Sequence, residues 1–156
     1  MASDIRSLTG RDVALMRELL AMFAEAFEDA ASYALRPPTD AYLGSFLDRS
    51  DTVVLAALDQ TGSVVGGLVA YVLTKFEQER SEVYIYDLAV AQTHRRRGIA
   101  TRLIDELRCI AHEIGAYVIF VQADPPDAPA VALYHSLGTR EDVYHFDIDV
   151  RERKKA

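Results

Sequence analysis

Residues 94 to 100, HRRRGIA, set three consecutive arginines and a glycine between a strand-like run, VYIYDLAV, and a helical pattern, IATRLIDELRCIAHEIG. A helix starting near Gly98 presents unpaired backbone N–H groups on the side where the preceding strand ends, and such a helix start attracts anions. Gly98 lets the chain approach a bound group with no side chain between them. Arg95, Arg96 and Arg97 add positive forks suited to phosphate oxygens. The chemistry on offer is the binding of a phosphate-bearing ligand, with a solvated arginine cluster as the alternative. The spacing matches neither the GxxxxGK loop that holds nucleoside triphosphates nor the three-glycine dinucleotide fingerprint.

Carboxylates form the second set. Asp87 lies three residues before Val90, and Glu77, Glu79 and Glu82 crowd the segment that leads to it. Its strand neighbours Ile85 and Ala89 are apolar, so a carboxylate on their face requires a partner, either a cationic amine or internal donors. Asp124 and Asp127 follow the next strand, while Asp147 and Asp149 alternate with Tyr144, Phe146, Ile148 and Val150. His94 and His145 have no third ligand at a metal-binding spacing, so no metal site is expected. Cys109 is the sole cysteine. It permits no internal disulfide, and its place among apolar helix positions predicts a buried structural thiol.

The elements that position these residues follow from periodicity. TGRD at 9 to 12 starts a helix, with Thr9 as cap, that carries Leu15, Met16, Leu19, Leu20, Phe23 and Phe27. RPPTD breaks it, and Thr39 caps a short helix with Leu43, Phe46 and Leu47. TVVLAAL and VVGGLVAYVL read as a hairpin across DQTGS, with Gly66 and Gly67 marking a bulge or a close backbone approach. Then come a strand over 82–90, a helix over 98–114, a strand over 116–122 and a helix over 128–137 ended by Gly138. DVYHFDIDV reads as a last strand and RERKKA as a solvated tail. Strand, crossover helix, strand after a hairpin argues for a mixed sheet covered by helices.

The 156 residues suit one domain, 1–156, with ordinary globular composition, 50% hydrophobic and 26% charged. A net charge of -7 argues against a general nucleic-acid binder and favours cationic partners. MASDIRSLTGRD carries no apolar targeting core, and no apolar run is long enough to span a bilayer. The expectation is a cytoplasmic protein that does not engage membranes.

LAVAQTHRRRGIATRLI resembles the coenzyme A motif of the GCN5-related N-acetyltransferases, the GNAT superfamily, whose core is Gln/Arg-x-x-Gly-x-Gly/Ala. Arg95 takes the first position, Gly98 the glycine and Ala100 the small closing residue. The resemblance implies an α/β (α+β) fold: a mixed central sheet with splayed fourth and fifth strands, flanked by helices. It implies acetyl-CoA as cosubstrate, its pyrophosphate held by the backbone of Arg95, Arg96, Arg97, Gly98, Ile99, Ala100 and Thr101. Leu88, Ala89 and Val90 would line the pantetheine arm and thioester. PAVALYHSLG resembles the later family motif whose tyrosine, here Tyr134, is the general acid toward the coenzyme sulfur. Without the motif, a tyrosine on that helix reads as core packing.

KFEQERSEVYIYDLAV, GAYVIFVQAD, DAPAVALYHSLG and HFDID together are similar to the aminoglycoside N(3)-acetyltransferases of type I, over roughly residues 20 to 149. This resemblance implies direct transfer, in a ternary complex, to the 3-amino group of an aminoglycoside antibiotic, and it implies a homodimer. Acetyl transfer requires a neutral amine, a polarised carbonyl and a proton for the thiolate. In this reading Asp87 orients the substrate ammonium and receives its proton, directly or through water. Glu82, Asp124, Asp147 and Asp149 join it in binding a cationic substrate. The apolar face of YHFDIDV offers a dimer contact strand, although it could equally serve the internal core.

Three positions depart from relatives: Gln92 replaces a common proline, and Asp124 stands where many carry an asparagine that contacts the coenzyme. Tyr86 stands where the related diamine acetyltransferases carry a glutamate, so their proton route does not transfer. Two alternatives share the coenzyme site: an acetyltransferase of another small polyamine, and a non-catalytic coenzyme A-binding module.

Overall fold

The computed structural model describes residues 4–151, so the first three residues and all but Arg151 of the RERKKA tail lie outside it. Contacts divide the chain into two compact units, Met1–Gln122 and Ala123–Ala156. The first runs β1 (Asp4–Ser7), α1 (Val13–Ala26), α2 (Ala30–Tyr33), α3 (Asp40–Leu47), β2 (Thr52–Leu58), β3 (Val64–Thr74), β4 (Ser81–Val90), α4 (Ile99–Glu113) and β5 (Ala116–Val121). Its five strands form one sheet in sequence order. Pairing is antiparallel from β1 to β4 and parallel between β4 and β5. A parallel pair needs a long crossover, which α4 supplies.

Adjacent glycines locate the helical layers. A Cβ on Gly66 would meet Ile99 Cγ2 of α4 at 3.0 Å, and one on Gly67 would meet Leu19 Cδ1 of α1 at 2.2 Å. Successive strand residues face opposite sides, so α1 and α4 cover opposite faces of the sheet. Both expectations for these glycines hold, because Val65, the residue before them, is the extra one of a bulge: Ala57 pairs with Gly66 and Leu58 with Val64. On the α1 face Leu19, Met22 and Phe23 pack with Val54, Ala56 and Val69. On the other, α4 buries Ile99, Leu103, Ile104, Leu107 and Ala111, one stripe at helical period. Cys109 falls off that stripe and is exposed, which corrects the buried thiol expected from its neighbours.

Local chemistry fixes the ends. Thr39 accepts from the Tyr42 N–H at 3.2 Å and caps α3 as expected. Thr9 does not cap α1. Its N–H and hydroxyl instead donate to Asp12 at 2.8 and 2.9 Å, and Arg6 pairs with the other oxygen of that buried carboxylate. In the hairpin, Asp59 accepts from the N–H groups of Thr61 and Ser63 at 2.8 and 3.0 Å.

The second unit holds α5 (Ala128–Leu137), capped by Asp127, which accepts from the Ala130 N–H at 3.1 Å. The expected terminal strand does not form: 142–149 carry no ladder, and Tyr144, Phe146, Ile148 and Val150 are 93%, 81%, 88% and 95% exposed. Period-two alternation supplies an amphipathic pattern, but a strand exists only through its hydrogen-bonded neighbour.

Candidate active site

β4 shapes the site through a bulge and a parting. Val69 pairs with Asp87 but Ala70 pairs with Ile85, so Tyr86 is the extra residue. The bulge resets the alternation. Ile85, expected beside Asp87, points to the buried α4 side, whereas Asp87 shares the α1 face with Val69 and Ala89. Beyond the Ile85–Val121 pair β5 offers β4 no further partner, and β4 continues alone from Tyr86 to Val90. This is the expected splay. Leu88, Ala89 and Val90 stay paired to β3 on one side, with their other backbone edge open.

Asp87 sits half-buried at the start of the splay and accepts a 2.7 Å hydrogen bond on Oδ2 from the Tyr33 hydroxyl of α2. Burial pushes its carboxyl above the usual range, and the Tyr33 bond pulls the other way. Tyr33 is held far above its ordinary value, by burial first and then by its hydrogen bond to Asp87, so it stays a donor. Tyr33 packs on Phe23 and Phe27, which orients it toward the strand. Nothing in the sequence pointed to Tyr33. Its four-residue helix carries no periodicity, and its partner is 54 positions away.

After β4, a short 3-10 turn over Gln92–His94 leads to the arginines. Arg96 has φ 64° and Gly98 φ 74°, two left-handed residues within three. Such alternation turns successive N–H groups toward one concavity, the geometry that suits an anion. Positive φ at a non-glycine residue marks strain of the kind that gathers at functional sites. Gly98 is the residue before α4, no side chain caps that helix, and a Cβ on Gly98 would meet nothing within 4 Å. The first amides of α4 (Ile99, Ala100 and Thr101) lack intrahelical acceptors by helix geometry. The turn therefore fits a pyrophosphate. Arg95 and Arg97 brace it: Arg95 Nε donates to the Val90 carbonyl at 3.1 Å and an Arg97 nitrogen to the Thr93 carbonyl at 3.0 Å. Met22 and Ala26 of α1 line a cleft with Ala91, Gln92 and Arg95. A larger depression lies over Thr74–Ser81, at the start of β4 and about 30 Å of strand away from this turn.

Four of the other acidic side chains, Glu77, Glu82, Asp147 and Asp149, have partners within the chain. Glu82 accepts from the Tyr117 hydroxyl and lies 3.4 Å from Lys75 Nζ, and Glu77 pairs with Lys75 and Arg80 at 3.5 and 3.6 Å. In the second unit His145 meets Asp147 at 3.0 Å and Arg151 donates to Asp149 at 2.6 Å. Asp124 begins the turn before α5, where its backbone carbonyl accepts from the Asp127 N–H at 2.9 Å. Tyr134 is half-buried on α5, and burial together with the Asp127 charge pushes its hydroxyl up to about 12, so it is protonated at neutral pH. Among the described residues no three His, Cys, Asp or Glu side chains group to hold a metal ion. No helix among them is long and apolar enough to cross a membrane.

A strand that parts from its parallel neighbour and ends in a left-handed turn at a helix start sets an open backbone edge beside an anion-binding turn. The model of the acetyltransferase (GNAT) family matches residues 14–139, and the chain belongs to that family. Its structure is similar to that of an aminoglycoside acetyltransferase from an uncultured soil metagenomic sample, with TM-score 0.94 and 56% identity over 96% of this chain and 99% of that one. A second aminoglycoside acetyltransferase of soil metagenomic origin, solved in complex with sisomicin, gives TM-score 0.87 and 32% identity over 94% and 95%. A ribosomal-protein-alanine N-acetyltransferase from Brucella melitensis biovar Abortus 2308 gives 0.75 and 26% over 96% and 99%. Acceptors as different as a sugar and a protein thus share this scaffold, and the acceptor must be read from side chains.

Proposed function

We propose that this acetyltransferase moves the acetyl group of acetyl-CoA to the 3-amino group of an aminoglycoside, by direct attack in a ternary complex. The observation that carries the reading is the half-buried carboxylate of Asp87, placed where β4 leaves β5 and held by Tyr33. A carboxylate in that position attracts an ammonium and can accept its proton. Similarity at 56% identity to an aminoglycoside acetyltransferase supports the substrate class, and the relative bound to sisomicin supports it further.

Acetyl-CoA supplies the thioester. The turn from Arg95 to Thr101 binds its pyrophosphate, and the open edge of Leu88, Ala89 and Val90 receives the pantetheine arm. Asp87 takes a proton from the substrate ammonium, and the freed amine attacks the carbonyl carbon. The C–N bond forms, the C–S bond breaks, Tyr134 gives its proton to the departing thiolate, and the second proton lost by the amide nitrogen returns through water to Tyr134. Glu82, Asp124, Asp147 and Asp149 contribute negative charge toward the remaining amines of the substrate.

In this reading residues 1–156 act as one acetyltransferase domain, since the family match spans both compact units. The exposed apolar row of Tyr144, Phe146, Ile148 and Val150 supports a homodimer in which a second copy covers it. A cytoplasmic location suits an enzyme that uses acetyl-CoA, and antibiotic resistance would follow from this activity. The test is thiol release from acetyl-CoA in the presence of sisomicin or of short diamines. Turnover with sisomicin is expected. Turnover with diamines alone would transfer the assignment to a polyamine acetyltransferase, and coenzyme binding without any turnover would make the chain a binding module.

A further inference from the structure

The carboxylate of Asp87 stands in a ring of tyrosines that the transfer chemistry does not require. Cross-strand partners share a face, so Tyr71 and Tyr84 lie side by side on the face that carries Val69 and Asp87. The bulge adds Tyr86 to the same face. Its ring centroid is 5.7 Å from that of Tyr71 and 5.8 Å from that of Tyr84, both edge-on at 87° and 75°. The row continues at each end, with Phe46 6.2 Å from Tyr71 and Phe120 stacked 4.7 Å from Tyr84. Asp87 accepts from Tyr33 and pairs with Val69 on the face that carries Tyr71 and Tyr84, so the carboxylate lies beside these rings.

Core packing does not explain the row. Tyr86 is 60% exposed, and Tyr71 and Tyr84 are only half-buried. Rings kept open to water beside a desolvated carboxylate match one kind of guest, a cation with apolar C–H groups around it. Aromatic faces attract the cation, and the carboxylate takes its charge and its proton. Among the described residues Tyr33 is the donor to Asp87, on Oδ2, so Oδ1 is left for the guest.

We infer that Tyr71, Tyr84 and Tyr86 form an aromatic platform beside Asp87 that binds the acceptor, a primary ammonium carried on a saturated sugar ring. The inference rests on the proposed function for the identity of the acceptor. Because the rings act in binding and not in proton transfer, their loss raises KM and leaves kcat nearly unchanged.

The experiment is calorimetric titration of the coenzyme A-bound protein with the same aminoglycoside used for turnover, on wild type, Tyr86→Phe and Tyr86→Leu, with kcat and KM measured in parallel. Tyr86→Phe keeps the ring and should bind as wild type, whereas Tyr86→Leu should bind about 5- to 30-fold more weakly, the range of a partly desolvated cation–π contact. Melting temperature and coenzyme A affinity should be unaffected, since Tyr86 is exposed. Wild-type affinity in Tyr86→Leu would overturn the platform, as would a drop in kcat with KM unchanged. Wild-type binding without transfer would sink the proposed reaction but leave the platform standing, and absence of wild-type binding would overturn both.

Discussion

Replacing Asp87 by asparagine separates function from fold, because structure and chemistry push in opposite directions at this residue. Asparagine keeps the shape and an oxygen for the Tyr33 hydroxyl, which donates at 2.7 Å, and removes charge and basicity. Burial raises the Asp87 pKa above its ordinary 3.8, so the folded chain holds that proton more tightly than the unfolded chain. Stability from this group is complete below 3.8 and is lost as pH rises through the folded-state value. At pH 7 the ionised carboxylate is a cost to the fold, and Asp87→Asn should melt no lower than wild type. Its catalytic effect has the other sign. A hydrogen bond between a carboxylate and an ammonium is worth about 1.5–3 kcal/mol, which is roughly 10- to 150-fold. Loss of the proton acceptor adds to this, so kcat/KM for the aminoglycoside should fall by at least about tenfold. Higher pH should partly restore it, because more of the free amine is then neutral. The assay is steady-state thiol release across pH, with acetyl-CoA affinity measured by calorimetry. An asparagine variant as active as wild type would refute Asp87 as proton acceptor. One that melts well below wild type would show that the carboxylate serves the fold.

The remaining expectations concern neighbouring parts of the site. Tyr33→Phe removes the donor that opposes burial, so the Asp87 pKa rises further and the acid limb of the kcat/KM profile should move to higher pH; an unmoved limb would separate Asp87 from the titration. Gly98→Val forces a β-branched residue to φ 74° and should weaken acetyl-CoA binding in calorimetry far more than Arg96→Ala, and unchanged affinity would remove the backbone-cradle reading. Tyr134→Phe should lower kcat by about tenfold or more with little change in coenzyme affinity, and an unchanged kcat where chemistry limits turnover would count against it as the acid. Sedimentation should show a dimer, and a monomer well above micromolar concentration would leave the apolar row at 144 to 150 unexplained.

The parts of the site that were legible in sequence are those encoded locally. The sequence from VYIYDLAV through HRRRGIA to the helix is one strand-turn-helix, where glycine, charge and a change of period coincide within about 20 residues. The mixed sheet and the close approach at Gly66 and Gly67 followed from the same kind of signal. What depends on contacts between distant residues stayed hidden. Tyr33 reaches Asp87 from a helix of one turn. The bulge at Tyr86 appears only in the register against β3, and it moved Ile85 off the face where simple alternation put it. Cys109 shows the limit of apolar neighbours as a guide, since the buried stripe of α4 passes through Leu107 and Ala111 on the other side of the helix. The terminal DVYHFDIDV has a strand's alternation without a strand's partner.

The most direct test is the structure of the product: wild-type protein incubated with acetyl-CoA and an aminoglycoside, and the acetylated nitrogen assigned by NMR. The expected result is a single acetyl group on the 3-amine of the central ring, with stoichiometric release of coenzyme A. Acetylation at a different nitrogen would contradict the regiochemistry, and an unmodified aminoglycoside beside an acetylated diamine would contradict the substrate class.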